Sequence, residues 1–338
     1  VASSYPRFTS YEGNLKIMGL GPENVVYQGG FSLQGATIKS TNVAGDLGSI
    51  TILDSLKSKK FSARSKEFVF KDSLISSDRA TITIFQENDS IHHHSLQLRY
   101  DYAKERLVLL SEKGAMRNTP FSATFFGRDF SANMIRWDMK ADSLDVYAQL
   151  GSGQAPMIIE SYDYYDPVDF QLAKGVGFNF HPLGIVAKYC IENNTRQTHT
   201  GDIAQTYGLD ILAVQKAIEF LASKGLVEYW PNGDLVIIKE KAITQYLAAK
   251  GEADYDNLKV QSVAGSYATL DIKKPVYSNA TIDFADRNMV VRGVEEFSVS
   301  DSLNVVIKPD SSVITILQNR DIKFNGTITA GNFEITGH

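Results

Sequence analysis

A chain of 338 residues is long enough for two or three domains, each able to bury its own core. Hydrophobic residues make up 43% and charged residues 22%, with 25 glycines against 9 prolines, which excludes disordered, collagen-like and low-complexity classes. Lys and Arg number 34 and Asp and Glu 39, so the net charge of −5 gives no sign of an acidic tail or a polyanion-binding surface.

The first residues, Val1-Ala2-Ser3-Ser4-Tyr5-Pro6, have neither the basic region nor the apolar core of a secretory signal, and no run approaches the ~18 apolar residues of a membrane helix. The chain starts without Met and ends after the strand-like Asn332-Phe333-Glu334-Ile335-Thr336, which reads as a piece of a longer polypeptide. From Asn14 to about Tyr147 short alternating runs lie between turn residues, among them Ser49-Ile50-Thr51-Ile52-Leu53, Thr81-Ile82-Thr83-Ile84-Phe85 and Leu96-Gln97-Leu98-Arg99-Tyr100. A period of two predicts half-buried strands. The texture returns from Leu258 to the C-terminus, as in Val313-Ile314-Thr315-Ile316-Leu317.

Within these stretches Asp-Ser followed by Leu or Ile recurs at Asp54, Asp72, Asp89, Asp142 and Asp301, a phrase suited to turns because both side chains bond nearby backbone N–H groups. Two longer phrases link the ends: Phe31-Ser32-Leu33-Gln34-Gly35-Ala36-Thr37-Ile38 with Ile322-Lys323-Phe324-Asn325-Gly326-Thr327-Ile328-Thr329, and Gly127-Arg128-Asp129-Phe130 with Asn319-Arg320-Asp321-Ile322. Punctuation common to any β protein is one explanation. The other is a repetitive β architecture, solenoid-like or a long meander.

Between about Asp166 and Lys250 the period becomes helical. His181-Pro182 opens a helix with Leu183, Val186, Ala187, Cys190 and Ile191 on one face. Asp202 to Tyr207 forms a short helix stopped by Gly208, and a third helix runs from an Asp210 cap to Lys224. Leu226-Val227-Glu228-Tyr229-Trp230 and Leu235-Val236-Ile237-Ile238 then flank the hairpin signal Pro231-Asn232-Gly233-Asp234, and a helix from Lys241 to Ala249 closes the unit. Its expected core is Leu183, Val186, Cys190, Ile203, Leu209, Val214, Ile218, Leu221, Leu226, Val227 and Ile237.

This order, with Asp202-Ile203-Ala204, Gly208-Leu209, Val214, Ala217-Ile218, Leu221 and Lys224-Gly225-Leu226-Val227, resembles a winged-helix domain over about 178–250. Winged helices serve both as DNA readers and as protein-binding modules. Tyr27-Gln28-Gly29-Gly30-Phe31-Ser32-Leu33, Gly177-Phe178-Asn179-Phe180-His181-Pro182-Leu183 and Asn319-Arg320-Asp321-Ile322-Lys323-Phe324-Asn325-Gly326 make the whole chain similar to long bacterial proteins in which β-rich repeats surround a small winged-helix unit. That resemblance implies no known activity and an envelope or extracellular setting, with the cytoplasm as the alternative.

The expectation is therefore a mixed, mainly β chain: a β-rich domain over 1–160, a winged helix over 166–250 and a second β-rich domain over 255–338, the β segments forming either one extended structure or two similar domains. DNA reading needs Lys or Arg for phosphates and base-reading side chains on the recognition helix. The third helix has no Arg, Asp234 stands at the wing tip, and 178–250 balances seven cations (Lys188, Arg196, Lys216, Lys224, Lys239, Lys241, Lys250) against seven anions (Glu192, Asp202, Asp210, Glu219, Glu228, Asp234, Glu240). A protein partner, or a neighbouring domain of the same polypeptide, fits better than nucleic acid, with Leu212, Lys216, Glu219 and Trp230 as the partner-facing patch. No catalytic residue, metal site or cofactor is assigned. His92-His93-His94 beside Asp89 reads as surface residues rather than ligands, and Glu160, Asp163, Asp166 and Asp169 as a solvated linker without the glycine-turned loop of an EF-hand. Gly151-Ser152-Gly153 and Gly175-Val176-Gly177 read as hinges, and Cys190 as a core residue. The alternatives are a DNA-binding regulator and, second, a β-groove that holds lipid.

Overall fold

Alternation along the sequence becomes alternation of burial: in Gly48–Leu53 buried and half-buried side chains follow one another residue by residue. The computed structural model describes residues 7–18, 20–112, 118–148, 156–172, 177–263, 278–300 and 304–337. The opening residues 1–6, the Gly151-Ser152-Gly153 stretch, Gly175 and Val176, and Asp301 lie outside them. Every ladder between the strands named below is antiparallel.

Most strands form two layers joined by two long strands. The first layer runs β2 (Leu15–Ile17), β3 (Val25–Gly29), β6 (Gly48–Leu53), β7 (Lys59–Ser65), the second half of β9 (Leu74–Gln86), the first half of β10 (Asp89–Asp101), β12 (Phe121–Ala123), β13 (Arg128–Phe130), β16 (Met157–Ser161) and β20 (Lys259–Ser262). The second runs β1 (Arg7–Thr9), β4 (Ser32–Gln34), β5 (Thr37–Lys39), β8 (Val69–Lys71), the first half of β9, the second half of β10, β11 (Arg106–Ser111), β14 (Met134–Asp138), β15 (Ser143–Tyr147), β21 (Ala280–Asp283), β22 (Asn288–Arg292), β25 (Val313–Leu317) and β26 (Ile322–Lys323). Register shifts between His93 and Leu96 and between Leu96 and Leu98 bend the β9–β10 pair where it crosses from one layer to the other. Tyr27 of β3 meets Phe70 of β8 at 5.2 Å between ring centroids, and Phe61 of β7 meets Tyr100 of β10 at 5.3 Å. One buried cluster thus fills the space between the layers, from Tyr27 to Ile316.

The turns carry the expected polar residues, with a change of detail. The Asp54 carboxylate accepts from the N–H groups of Leu56 and Ser58 at 2.8 Å each, and Asp72 takes the left-handed conformation (φ 51°) between β8 and β9. Asp89 and Asp142 instead follow their turns, Asp89 being the first residue of β10 after Glu87 (φ 52°) has turned the chain. The two longer phrases differ in fate. Phe31 to Ile38 contains the β4–β5 hairpin, whereas Ile322 to Thr329 leaves β26 for a different sheet, so its likeness does not mark a shared structural unit. Gly127-Arg128 leads out of a turn into β13, whereas Asn319-Arg320 lies in the turn after β25, and the two touch: an added Cβ on Gly127 would lie 2.5 Å from Arg320 Nε.

β16 and β20 are neighbours, with Met157 opposite Ser262 and Glu160 opposite Lys259, and β15 pairs β21 in the other layer. The early and late β segments therefore share both layers, and the helical unit is an insertion between two adjacent strands. Its two connections are held together where Tyr165 N–H bonds Asp256 O at 2.9 Å and Asp256 N–H bonds Asp163 O at 3.1 Å.

The insertion runs α1 (Pro167–Leu172), α2 (Pro182–Asn193), β17 (Gln197–His199), α3 (Thr200–Tyr207), α4 (Ile211–Ser223), β18 (Val227–Trp230), β19 (Leu235–Ile238) and α5 (Glu240–Ala249), with β19 between β17 and β18. His181 caps α2 by accepting from Gly184 N–H at 3.1 Å, and Asp210 caps α4 by accepting from Ala213 N–H at 2.9 Å. Leu183, Val186, Cys190, Ile203, Val214, Ile218, Leu221, Leu226 and Val227 are buried together, with Leu209 partly buried beside them. One expected core position differs: Ile237 is half-buried because the register with β18 turns Val236 and Ile238 inward. Ile191, expected on the apolar face of α2, is 48% exposed, while its neighbour Cys190 is buried.

The remaining strands make a small sheet in the order β23 (Phe297–Ser300), β24 (Val305–Pro309), β27 (Gly326–Ala330), β28 (Phe333–Gly337). Its Phe297 and Ile307 join the main core. Among the described residues no helix is long and apolar enough to cross a membrane.

Candidate interaction surface

α4 presents Leu212 (63% exposed) and Lys216 one helical turn apart, with Ile211 exposed beside them and Glu219 half-buried a further turn along. Trp230 stands apart from that patch. Its ring packs edge-on against His94 of β10, centroids 6.4 Å apart, so it faces the β body.

Trp230 belongs to a docking interface that spans β18, β19 and α5 on one side and the outer face of the first layer on the other. Alternation along β18 turns Val227 and Tyr229 into the helical unit's core and Glu228 and Trp230 toward β10. Glu228 Oε1 lies 3.2 Å from His92 Nε2, while His92 Nδ1 lies 3.1 Å from Thr83 Oγ1. The His92–His94 run is thus interface, not open surface. Gly225, at φ 71° between α4 and β18, sits so close to Pro120 that an added Cβ would come within 2.4 Å of its Cγ.

The polar centre of the interface is Lys241. Its ammonium donates to Asp129 Oδ2 at 3.1 Å and Glu160 Oε2 at 3.2 Å, and the side chains of Lys241 and Asp129 are 6% and 4% exposed. Asp129 Oδ1 also accepts from Ser122 Oγ at 2.7 Å, and Lys239 Nζ donates to Ser122 Oγ at 3.4 Å. Glu160 and Asp169 share Lys259, at 3.7 and 3.6 Å, and Asp166 caps α1 by accepting from Val168 N–H at 2.7 Å. The acidic stretch is therefore an ion-paired, capping segment rather than a solvated linker. Asp234, in the turn between β18 and β19, accepts from Thr200 N–H at 3.0 Å and Thr200 Oγ1 at 2.6 Å, which ties that hairpin to the start of α3.

Burial sets the protonation of this interface. It holds His93 down at about pKa 3, although the bond to Thr119 O pulls the other way, and it lowers His94 well below the ordinary value, with the neighbouring His93 and Lys239 acting in the same direction. Burial also opposes the charge on Lys241 and Glu228, but the Asp129 and Glu160 carboxylates raise Lys241, and the bond from His92 with the charges of His92 and Lys239 lowers Glu228. Burial raises the Cys190 thiol, in keeping with a core residue.

No group of three or more His, Cys, Asp or Glu side chains among the described residues is placed to hold a metal ion. A cleft of about 550 Å³ opens between the β6–β7 and β10–β11 turns, and Glu23, Asp54, Lys57, Lys60 and Glu105 line it, a charged wall unlike the apolar lining a lipid groove requires. The grouping of Lys241, Asp129 and Glu160 escapes sequence reasoning because they are far apart in the chain: Glu160 stood out only within the acidic stretch and Asp129 only within a repeated phrase, and neither pointed to Lys241. Comparison with family models, with curated proteins and with solved structures found no match for this chain.

Proposed function

We propose that the chain is a non-enzymatic structural and protein-interaction module of a larger bacterial envelope protein, in which a winged-helix unit rides on an elongated β body and offers the outer face of α4, Leu212, Lys216 and Glu219, to a protein partner or a neighbouring domain. The observation that carries this reading is the docked β18–β19 hairpin: β18 turns Glu228 and Trp230 onto β10 rather than to solvent. A DNA-reading winged helix needs its wing and recognition helix free and cationic. Here Asp234 is spent on capping α3, and Lys216 is the only Lys or Arg within α4. Trp230 drops out of the partner-facing patch, since it is committed to the β body.

A gel shift with duplex DNA at low salt, run beside photo-crosslinking from a probe at Leu212, tests the proposal. The expected result is no shift and a discrete protein adduct in extracts of the source cells. Steeply salt-dependent DNA binding would establish the regulator reading instead.

A further inference from the structure

At one end of the β body the two layers part. The first layer contributes the approach to β3, the end of β6 and the start of β7, and the second contributes Tyr100 of β10, the β10–β11 turn and Met139 beyond β14. The cleft of about 550 Å³ between them falls within the range of about 300–1,000 Å³ typical of small-molecule sites. Its floor is apolar, with Ile52 0% and Met139 4% exposed. Lys60 is held in place beside that floor, donating to Met139 O at 2.9 Å with its ammonium 5.9 Å from the centre of the Trp137 ring.

Tyr100 is the group that the β body leaves without a partner. The residue is 1% exposed and borders the cleft, yet its hydroxyl makes no hydrogen bond to any described residue. Buried polar groups are seldom left in that state. Burial first, then the charges of Glu105 and Asp101, push its pKa up to about 12, so it stays a hydroxyl that can both donate and accept. Glu105 is half-buried at the same mouth, and among the described residues its carboxylate has neither an ion pair nor a hydrogen bond. Asp54 commits only Oδ1 to its own turn and keeps Oδ2.

The order of the charges decides what such a lining suits. Asp54 and Lys57 share one turn, and Met139, whose carbonyl accepts from Lys60, donates its N–H to Glu105 O at 2.9 Å, which brings Lys60 and Glu105 to the two sides of one residue. A ligand of either net charge meets a like charge in this interleaved lining. A hydroxyl donates to a carboxylate and accepts from an ammonium, so a row of hydroxyls meets both signs, while the C–H face of a sugar ring covers the apolar floor. We propose that this cleft is a binding site for a neutral saccharide, whose hydroxyls bond Tyr100 and Glu105 within the cleft and Asp54 and Lys57 at its rim. The site is separate from the α4 face and from the docking interface, and does not depend on the function proposed above.

Saturation-transfer NMR on the 338-residue chain tests this with cellobiose, maltose, lactose and N,N′-diacetylchitobiose. Each is used at about 5 mM, above the ~1 mM Kd that a few hydrogen bonds in an open site supply. Putrescine, citrate and glycine serve as cationic, anionic and zwitterionic probes. The expected result is transfer to at least one of the disaccharides and to none of the charged probes. Tyr100→Phe removes one oxygen that bonds nothing in the protein, so it should keep the melting temperature and weaken binding of that disaccharide about 2- to 10-fold. Glu105→Gln lies in a turn outside the core and should weaken it by a similar factor, which decides the matter if the Phe variant loses stability. No transfer to any of the four disaccharides, transfer to a charged probe, or disaccharide binding that Glu105→Gln and a folded Tyr100→Phe leave unchanged would overturn the proposal.

Discussion

Lys241 puts an ammonium group where water barely reaches, and the structure compensates it with two carboxylates from strands far away in sequence. Such a pair is costly to break from one side, because the survivors remain buried and charged. Lys241→Met should therefore lower unfolding stability by about 3–5 kcal/mol, read from urea denaturation, since Asp129 is left without its cation. The histidines give a pH dependence whose sign follows from burial. Folding holds His93 at about 3, below its ordinary 6.5, and lowers His94 in the same direction, so both are neutral in the native protein. The unfolded chain takes up protons below pH 6.5 that the folded one refuses. Stability should be complete above pH 6.5 and fall as the pH drops from there toward about 3, with His93 contributing a slope of up to about 1.4 kcal/mol per pH unit. His94 Nε2 is buried without a hydrogen-bond partner, so His94→Phe should fold normally and show a shallower loss of stability between pH 6.5 and 5 in thermal melts. An unchanged slope would mean that His94 is not the group being titrated.

At the level of elements, the inserted unit was the most legible part of the chain, because its caps and its helical period act over a few residues. His181-Pro182, Asp210, Gly208 and Gly225 mark the boundaries they were expected to mark. The errors fall where local pattern gives no direction. Leu235-Val236-Ile237-Ile238 is apolar throughout, and only pairing with β18 decides which side chains point inward. Asp234 looked like a charge at a wing tip because its partner Thr200 belongs to another element. Asp234→Ala should accordingly cost about 1 kcal/mol, the usual loss of a helix cap, and loosen the start of α3 in amide-exchange measurements. Ile218, fully buried in the helical unit, should cost about 2–5 kcal/mol on truncation to Ala and open protease sites between Asp166 and Lys250. The flanking strands should stay resistant, since their core is a separate cluster. Equal loss of protection in both would mean one cooperative core.

For the whole molecule, composition and period two were enough to indicate a mainly β chain with an α+β interruption, but not how the β segments relate. That relation rests on pairings such as Val146–Ala280 and Ile159–Val260, which join residues more than a hundred positions apart and leave no trace in local sequence. The docking of the insertion on β10 and β13 is equally non-local, and the functional proposal depends on it. Hydrogen exchange followed by mass spectrometry, comparing the unmodified chain with Lys241→Met, tests this docking most directly. Docking predicts protection of 227–230 and of 89–95 in the unmodified chain, and faster exchange in both stretches and in 128–130 when Lys241 is replaced, with 48–65 unchanged. If exchange rises only within the inserted unit while 89–95 and 128–130 keep their protection, the β18–β19 hairpin is not held against the β body and the account fails.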